Sequence, residues 1–455
     1  MDLETKIDTT TARIAVIGLG YVGLPLAVAL AEVGFPVVGL DTNEGRVAAL
    51  NRGESYLRDV PTERVAHLRE AGRLEATTDY DTLRNADVIF ICVPTPNDRQ
   101  RAPDLSFIIA AAEGIAVRLQ RGQLIILQST TYPGTTEEEV QPILERGGLR
   151  AGQDFYLAFS PERINPGDRV HTVYNTPKVV GGVDATSAAL TARLLGRLTP
   201  QVHIVSTPRA AEMTKLLENI FRSVNIALVN ELALLSERMG IDIWEVIEAA
   251  SSKPFGFMPF TPGPGVGGHC IPVDPYYLSW KAREYDFHTK FVELAAEVNQ
   301  DMPYHVVDRI AKALNMLGKP LRGADILLLG VTFKRDVDDA RNSPAERIIE
   351  LLIAAGARIS YNDPYVPVFQ VGNDVFCRQS LTLQSVPLTA ERVRACDCLV
   401  IVAGHSCYDY LWLVREAALV VDTVNATRGL AGDHIIRLGA PGPNHTIRGM
   451  RIRED

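Results

Sequence analysis

The first two hundred residues alternate between short apolar runs and longer stretches with helical spacing. The first run, residues 13–18, ends at a glycine, and a predicted helix at 24–33 separates it from a second run at 36–41. Apolar runs of this length without polar alternation are typical of strands buried on both faces. Further strands are predicted at 88–93, 124–128 and 156–159, and a helix at about 104–119. This alternation predicts a parallel, doubly wound sheet through about residue 200.

The middle of the chain has a different pattern. Thr207 is a good N-cap and Pro208 suits the first position of a helix. From there to Met239 no glycine or proline interrupts an apolar pattern of helical period, and Gly240 ends it. At 1.5 Å per residue the helix is roughly 45 Å long. Such a helix indicates a connecting spine, and spines of this kind often dimerise.

The last third returns to alternating strands and helices. Strands are predicted at 324–330, 358–361, 398–403 and 419–422, and a helix at 343–355. This part resembles the first but lacks its glycine pattern, so we expect it to bind a different ligand or none.

Composition narrows the class of protein. The chain has 455 residues, which suggests about three domains, with 46% hydrophobic residues and a net charge of −9. It has no basic patch for nucleic acid and no apolar run long enough for membrane insertion. The six cysteines show no paired metal-ligand spacing, so we expect no metal site. A reduced, cytoplasmic protein fits best.

A dinucleotide-binding pattern follows the first strand. Gly18, Gly20 and Gly23 form a GxGxxG sequence between a predicted strand and helix. Asp41 ends the second strand, where a carboxylate binds the adenosine ribose hydroxyls and repels the 2′-phosphate of NADP. A lone GxGxxG often marks only a tight turn, but here strand, helix and acid are in register. The pattern therefore predicts NAD as cofactor.

A glycine-rich loop at 263–275 places Cys270 four residues before Asp274. In a nicotinamide dehydrogenase this arrangement indicates a thiol nucleophile. A buried structural cysteine is the alternative, and His269 with Asp274 makes a metal site conceivable, although no further ligand has suitable spacing.

Several polar residues are candidates with simpler alternatives. Lys215, Asn219 and Arg222 share one face of the long helix and could stabilise an oxyanion and bind phosphate, or they could form a solvated stripe. Glu162 and Thr130 follow predicted strands, where functional groups of such sheets lie. Glu162 could be a general base or a surface acid beside Arg163, and Thr130 could bind a ligand or finish a turn. A cationic cluster, Lys334 with Arg335 and Arg341, could be a solvated ion-pair loop.

Taken together, these motifs resemble the UDP-glucose/GDP-mannose dehydrogenase family over essentially the whole chain. Seven motifs occur in the family's order: GLGYVGLP (18–25), VPTP (93–96), QSTTYPGT (128–135), SPERINPG (160–167), KLLENIFRSVN (215–225), GPGVGGHCIPVDP (263–275) and GVTFKRDVDDARNSP (330–344). Histidine before the cysteine resembles the N-acetylhexosamine branch, and 257–278 is most similar to UDP-N-acetylglucosamine 6-dehydrogenases.

The resemblance implies an α/β protein of three domains. These are an NAD-binding Rossmann domain (1–205), a central helical domain with a long dimerisation helix and the cysteine loop (206–310), and a Rossmann-like UDP-sugar domain (311–455). It also implies that the C6 hydroxyl of a UDP-sugar becomes a carboxylate for surface polysaccharide synthesis, with two NAD reduced. A thiohemiacetal and then a thioester would form on Cys270. A homodimer is expected.

The resemblance assigns roles by motif position. Lys215 and Asn219 would stabilise oxyanions, Asp274 with Thr130 would position water, and Glu162 would serve in thioester hydrolysis. The other positions expected to hold the nucleotide sugar are Arg163, Arg222, Gly265, Phe333 and Lys334. The positions expected to hold the cofactor are Gly18, Gly20, Tyr21, Val22, Gly23, Asp41, Arg46, Thr95, Thr130 and Arg341.

One position departs from the family pattern. Members often carry Arg where this chain has Val424, in Asp-Thr-Val-Asn, so a nucleotide contact by that arginine is in doubt. The resemblance favours UDP-N-acetylglucosamine as the sugar substrate, with UDP-N-acetylmannosamine, UDP-N-acetylgalactosamine and UDP-glucose as alternatives. A catalytically silent NAD-binding scaffold is the alternative outside the enzymes.

Overall fold

The first part of the structure is a sheet flanked by helices. The computed structural model describes residues 1–98, 102–164, 170–268, 271–372 and 380–442, and the elements below are those of the described residues. The strands are β1 (Ile14–Ile17), β2 (Val37–Leu40), β3 (Leu74–Thr77), β4 (Val88–Ile91), β5 (Leu124–Leu127), β6 (Tyr156–Phe159), β7 (Lys178–Gly182) and β8 (Val202–Val205). The α-helices are α1 (Leu3–Asp8), α2 (Gly23–Val33), α3 (Glu44–Asn51), α4 (Thr62–Glu70), α5 (Ser106–Ala116), α6 (Gln141–Leu144) and α7 (Ala185–Leu195). Shorter turns of helix lie at Tyr80–Asn85, Thr135–Val140 and Glu145–Gly147.

The strand order of this sheet is β3-β2-β1-β4-β5-β6-β7-β8. The predicted parallel pairing is confirmed from β3 through β6, and the order reverses at β1 and β4, where ligands bind in such sheets. β7 differs, because it runs antiparallel to β6, with β8 parallel to β7. A parallel return needs a crossover connection, usually a helix. The described parts of the connection from β6 to β7 contain no helix.

Alternate residues of the central strands enter opposite cores. In β1, Ile14 and Val16 join one buried cluster, whereas Ala15 and Ile17 join the other. Strands buried on both faces need apolar side chains at every position. This requirement explains the uninterrupted apolar runs of the sequence.

The remaining chain contains the long helix and a second sheet. The helices are α8 (Pro208–Met239), α9 (Ile243–Ser251), α10 (Asp274–Ala282), α11 (Lys290–Met316), α12 (Pro344–Ala354), α13 (Ala390–Ala395) and α14 (Tyr410–Glu416), with a turn of 3₁₀ helix at Arg283–Tyr285. The strands are β9 (Asp325–Leu329), β10 (Arg358–Asn362), β11 (Val368–Val371), β12 (Leu381–Gln384), β13 (Cys398–Ile401), β14 (Val420–Asp422) and β15 (Ile435–Arg437). A parallel sheet has the order β10-β9-β13-β14-β15, and β11 pairs antiparallel with β12.

The predicted spine helix is confirmed as one element of 32 residues, α8. The chain divides into two compact units whose boundary falls within this helix: Met1–Glu218 with Tyr276–His288, and Asn219–Pro275 with the chain from Thr289 onward. Within the part of the chain that the structure describes, no helix combines the length and apolar character needed to cross a bilayer.

Candidate functional site

The loop between β1 and α2 needs glycine at two positions for packing and leaves space at a third. Gly18 has a φ of +90°, and a Cβ there would lie 2.5 Å from the Cys92 carbonyl oxygen. A Cβ on Gly23 would lie 1.8 Å from the Gly18 oxygen. Gly20, in contrast, has no neighbouring atom within 4 Å of that position. The loop is therefore tight inside and open at Gly20, as close approach of a pyrophosphate to the backbone requires.

Asp41 is fixed at the end of β2 by backbone donors. Its carboxylate accepts hydrogen bonds from Leu19 N (2.8 Å) and Asn43 N (2.9 Å), and from Arg46 Nη1 at 3.3 Å. Asp41 is buried, whereas the Arg46 side chain is 43% exposed. A held carboxylate beside a reachable cation fits the ribose end of a dinucleotide. Tyr21 is exposed beside this loop, and Val22 packs against the core.

Four polar side chains form a buried chain along one edge of the sheet: Cys92, Gln128 and Glu162 follow the carboxyl ends of β4, β5 and β6, and Lys178 begins the antiparallel β7. Cys92 Sγ contacts Gln128 Oε1 at 3.7 Å, and Gln128 Nε2 donates to Glu162 Oε2 at 3.0 Å. Lys178 Nζ lies 2.9 Å from both Glu162 oxygens, and this lysine is only 1% exposed. Ligand-binding groups of such sheets lie at this edge.

Glu162 is held as an anion. Burial alone raises the pKa of this carboxyl, but the Lys178 ammonium and the backbone N–H groups of Arg163 and Ile164 outweigh burial and hold it below its ordinary value. A carboxylate with this many donors is a weak base near neutral pH. The arrangement suits Glu162 to fixing charge and orientation.

The first turns of α8 carry a second buried cluster. Glu212 accepts hydrogen bonds from Gly134 N (2.6 Å), Thr136 N (2.9 Å) and Thr136 Oγ1 (2.7 Å), which fixes the loop after β5 to the helix. Burial raises the pKa of Glu212 although these hydrogen bonds oppose it. One turn later, Lys215 is 8% exposed, and among the described residues no group accepts a hydrogen bond from its ammonium. A largely buried ammonium is stabilised by a negatively charged group placed beside it.

Other predicted residues of the first unit lie around these clusters. Arg163 pairs with Glu218 on α8 at 2.6 Å and donates to the Pro177 carbonyl at 2.9 Å. Thr130 is half-buried at the end of β5. Thr95 is buried, and its carbonyl accepts a hydrogen bond from Tyr277 Oη of α10.

In the second unit, Asn219 and Asp274 meet. The Asn219 Nδ2 donates to Asp274 Oδ2, and both residues are buried. Arg222, one turn further along α8, is exposed. The predicted polar face of the helix therefore has a buried part and an exposed part.

The glycine-rich loop is supported by residues distant in sequence. Gly263 N donates to Asn230 Oδ1 (3.0 Å), and a Cβ on Gly265 would lie 3.3 Å from Pro344. A Cβ on Gly267 would lie 2.7 Å from Phe333 Cβ. Gly268 N donates to the Arg341 carbonyl at 3.0 Å. His269 and Cys270 lie outside the described residues.

The segment after β9 faces this loop. Phe333 packs on Gly267 and Gly268, and Asn342 Nδ2 donates to the Gly268 carbonyl at 3.1 Å. Lys334 is half-buried next to Phe333, and the Arg341 guanidinium pairs with Asp339 at 2.6 Å. Candidate sugar-binding residues are thus connected directly to the backbone that leads to Cys270.

Sequence reasoning missed several members of these clusters. Lys178 had a usable signal, because it begins an otherwise apolar strand, and Gln128 lies inside a quoted motif without a role. Glu212, Asn230 and His405 gave no local signal, since their partners are far away in the sequence. Val424 packs with apolar side chains behind the second sheet. Among the described residues, no group of three or more His, Cys, Asp or Glu could hold a metal ion.

Comparison with known proteins extends these observations. Three models of the UDP-glucose/GDP-mannose dehydrogenase family match in order: the NAD binding domain over residues 12–199, the central domain over 209–301 and the UDP binding domain over 327–429.

Individual relatives cover most of the chain. A UDP-N-acetyl-D-glucosamine 6-dehydrogenase of Pseudomonas aeruginosa is 39% identical over 87% of this chain and 90% of the relative. A UDP-N-acetyl-D-mannosamine dehydrogenase of Pyrococcus horikoshii is 38% identical over 78% of this chain and 84% of the relative. The solved structure of a UDP-D-ManNAc dehydrogenase from Pyrococcus horikoshii matches with a TM-score of 0.84 at 32% identity, covering 94% of this chain and 99% of that one.

The three-domain α/β architecture, the open glycine loop with its fixed aspartate and the matches along the chain agree. The chain is a nucleotide-sugar dehydrogenase that uses NAD, and it belongs to the UDP-glucose/GDP-mannose dehydrogenase family.

Proposed function

We propose that this enzyme oxidises the C6 hydroxyl of UDP-N-acetylglucosamine to the carboxylate, for surface polysaccharide synthesis. The observation that carries the proposal is the buried Lys215, which has no acceptor among the described residues. It lies one helical turn before Asn219, whose amide is already bound to Asp274. An ammonium at this position can stabilise a negatively charged oxygen, which suits a reaction in which oxyanions form and decay.

NAD, when bound, supplies the hydride acceptor for both oxidations, and each sugar consumes two NAD. The C6 hydroxyl gives up its proton and C6 gives up a first hydride, which leaves an aldehyde. The Cys270 thiolate adds to this aldehyde, so that a C–S bond forms and the carbonyl oxygen becomes an oxyanion. Loss of the second hydride from C6 leaves a thioester. Water adds to the thioester, the C–S bond breaks, and the acid and the free thiol are released.

The proposed roles follow from the chemistry of the side chains. Lys215 stabilises the oxyanions and favours the thiolate form of Cys270. Asp274, oriented by Asn219, positions the hydrolytic water with Thr130. Glu162 assists hydrolysis as a fixed anion held by Lys178.

The remaining assignments concern ligand binding. Gly18, Gly20 and Gly23 bind the pyrophosphate, and Asp41 with Arg46 binds the ribose. Tyr21, Val22, Thr95 and Arg341 complete the proposed cofactor positions. Arg163, Arg222, Gly265, Phe333 and Lys334 hold the nucleotide sugar.

Stoichiometry and mass test the covalent route. We expect two NADH per sugar acid and, under single-turnover conditions, a protein species heavier by the acyl sugar. Cys270→Ser abolishes acid formation and keeps NAD affinity, and Lys215→Met lowers kcat far more than it changes the KM for NAD. One NADH per turnover with free aldehyde, or binding of both ligands without turnover as in a silent scaffold, contradicts the proposal.

A panel of nucleotide sugars tests the substrate. UDP-N-acetylmannosamine is the second candidate, because a dehydrogenase of that sugar is also 38% identical to this chain. We expect the highest kcat/KM with UDP-N-acetylglucosamine, and UDP-N-acetylgalactosamine and UDP-glucose complete the panel. A higher kcat/KM with any other sugar reassigns the substrate and leaves the covalent route intact.

We further propose that two copies of the chain associate through residues 221–239 of α8. Five apolar side chains there follow a spacing of three, four or seven residues and are 39–61% exposed: Phe221, Leu228, Leu232, Leu235 and Met239. An exposed apolar stripe of this length marks an interaction surface. The double variant Leu228→Glu/Leu235→Glu should sediment as a monomer. Val117→Glu, at a position 67% exposed elsewhere, should not change the oligomeric state.

A further inference from the structure

A histidine behind the second sheet is fully buried and has a defined tautomer. His405 is 0% exposed, and its Nδ1 accepts a hydrogen bond from the Asp336 backbone N–H at 2.9 Å. The ring proton therefore lies on Nε2, which faces Asp363 Oδ2 at 3.1 Å. Asp363 is also buried and accepts hydrogen bonds from Val331 N, Tyr365 N and Val366 N. The carboxylate thus fixes the orientation of the imidazole.

The other side of the imidazole holds the segment that follows β9. Nδ1 holds the Asp336 backbone, as described above. Nε2 lies 3.4 Å from Thr332 Oγ1, and this hydroxyl donates to the Lys334 carbonyl at 2.8 Å. Ser406 N donates to Asp336 Oδ1 at 2.8 Å and closes the same turn. One end of the segment 332–336 is therefore hydrogen-bonded to His405 through Asp336, and the other end, Thr332, lies against the same imidazole.

Phe333 and Lys334 lie between these two fixed points. The Phe333 side chain is the packing surface for Gly267 and Gly268, the last described residues before Cys270. A displacement of 332–336 would move Phe333 and Lys334 together. Such a displacement would also disturb the backbone that leads to the cysteine.

We propose that His405, oriented by Asp363, is a positioning residue for the nucleotide sugar: it holds Thr332–Asp336 so that Phe333 and Lys334 present one fixed surface. The inference rests on the proposed assignment of Phe333 and Lys334 to the nucleotide sugar. His405 itself does not touch the nucleotide sugar. Its effect is on the affinity for the nucleotide, with no role in the chemical steps.

Three substitutions separate the two hydrogen bonds of the imidazole. His405→Phe keeps a ring but loses both bonds, and we expect UDP affinity to fall at least tenfold in calorimetric titration. His405→Asn places an amide oxygen near the position of Nδ1, so it retains the acceptor for Asp336 and should restore most of the affinity. His405→Gln reaches toward Asp363 instead and should remain weak.

A matched control removes a neighbouring buried hydrogen bond outside the segment. Tyr408 Oη bonds to the Asn362 carbonyl at 2.9 Å and packs beside His405, so Tyr408→Phe should lower the stability without changing UDP affinity more than twofold. NAD affinity, measured on every variant, confirms that the first unit is folded. In steady-state assays the His405 variants should raise the KM for the nucleotide sugar while kcat stays within about threefold.

The outcomes are separable from those of the proposed function. Wild-type UDP affinity in His405→Phe, or equal affinity of the Asn and Gln variants, overturns the positioning role. A wild-type protein that binds UDP but oxidises no UDP-sugar refutes the proposed reaction, and the order Asn above Gln above Phe in UDP affinity would still support the inference. Absence of UDP binding by the wild-type protein refutes both.

Discussion

The two sheets of this enzyme begin with the same turn and use it differently. Gly18 follows β1 with a φ of +90°, and Gly330 follows β9 with a φ of +79°. The next residue of each turn, Leu19 or Val331, donates its N–H to an aspartate after the neighbouring strand, in both cases at 2.8 Å. The acceptors are Asp41 in the first sheet and Asp363 in the second.

The surroundings of the two aspartates differ. The remaining side-chain partner of Asp41 is Arg46, which is 43% exposed, and the neighbouring Gly20 is open. The remaining side-chain partner of Asp363 is His405, which is 0% exposed and packs against the Tyr365 ring at 4.9 Å. The same backbone turn is therefore left open beside the first aspartate, whereas beside the second it is filled by a buried side chain of the protein. A repeated turn fixes the position of the loop, and the side chains beside it decide what the loop binds.

Alanine at either turn glycine, Gly18 or Gly330, should lower the stability more than any other substitution proposed for the two turns. A Cβ on Gly330 would lie 2.6 Å from the Ala403 carbonyl oxygen, and one on Gly18 would lie 2.5 Å from that of Cys92. With the left-handed backbone added, we expect each variant to lose about 3 kcal/mol or more of unfolding free energy in urea titrations. Gly18→Ala should also abolish NAD binding, whereas folded Gly330→Ala should retain it. Equal loss of NAD affinity in both would contradict the division of roles.

Asparagine at the two aspartates should separate stability from affinity. Asp363→Asn replaces an acceptor oxygen with an amide that faces backbone donors, and we expect a loss of about 2–3 kcal/mol in stability. Asp41→Asn should cost less, roughly 1 kcal/mol, because Asp41 accepts two backbone hydrogen bonds where Asp363 accepts three, and its side-chain partner Arg46 is partly exposed to solvent. NAD affinity should fall about 10–100-fold in Asp41→Asn, equivalent to the 1.5–3 kcal/mol of a charged hydrogen bond, and should not change in Asp363→Asn. The reverse pattern would refute the comparison.

The pH dependence of stability tests the assignment of Asp363 as a structural carboxylate. Burial raises the pKa of Asp363, but hydrogen bonds from His405, Val331 and Tyr365 outweigh burial and hold it below its ordinary value of 3.8. A carboxyl with a lowered folded pKa stabilises the protein above its unfolded pKa, and this contribution is lost as the pH falls through the folded value. The stability difference between wild type and Asp363→Asn should be constant above about pH 5 and should shrink below about pH 4. A difference that grows on acidification would reverse the assigned direction.

Part of the fold and of the candidate site could be predicted from the sequence. Apolar runs gave nine of the fifteen strands of the described residues and missed β3, β7, β8, β11, β12 and β15. The uninterrupted periodicity gave α8 at its full length, and GxGxxG with Asp41 gave the tight glycine turn and its aspartate, because these signals are local in the sequence. Residue-type chemistry also singled out Asn219 and Asp274, although their direct contact required the fold.

The remainder depends on contacts between distant segments. The Asp363–His405 pair joins residues 42 positions apart, and Asn230 supports Gly263 from 33 positions away. The reversal of β7 also escaped prediction, since a strand's apolar pattern is the same in either direction. Periodicity predicts which face of an element is buried, but it does not identify the partner against which that face packs.

The smallest expected effect concerns the exposed partner of Asp41. Arg46 lies 3.3 Å from the carboxylate and over the Tyr56 ring at 5.6 Å, but 43% of its side chain is exposed. Exposed ion pairs contribute little, so Arg46→Ala should change the unfolding free energy by about 0.5 kcal/mol or less. NAD affinity should fall about threefold, because one of several ribose contacts is lost while Asp41 keeps its backbone donors. Arg46→Lys should recover part of that affinity. A stability loss as large as that of Asp363→Asn would mean that the first aspartate, like the second, is held by a structural partner.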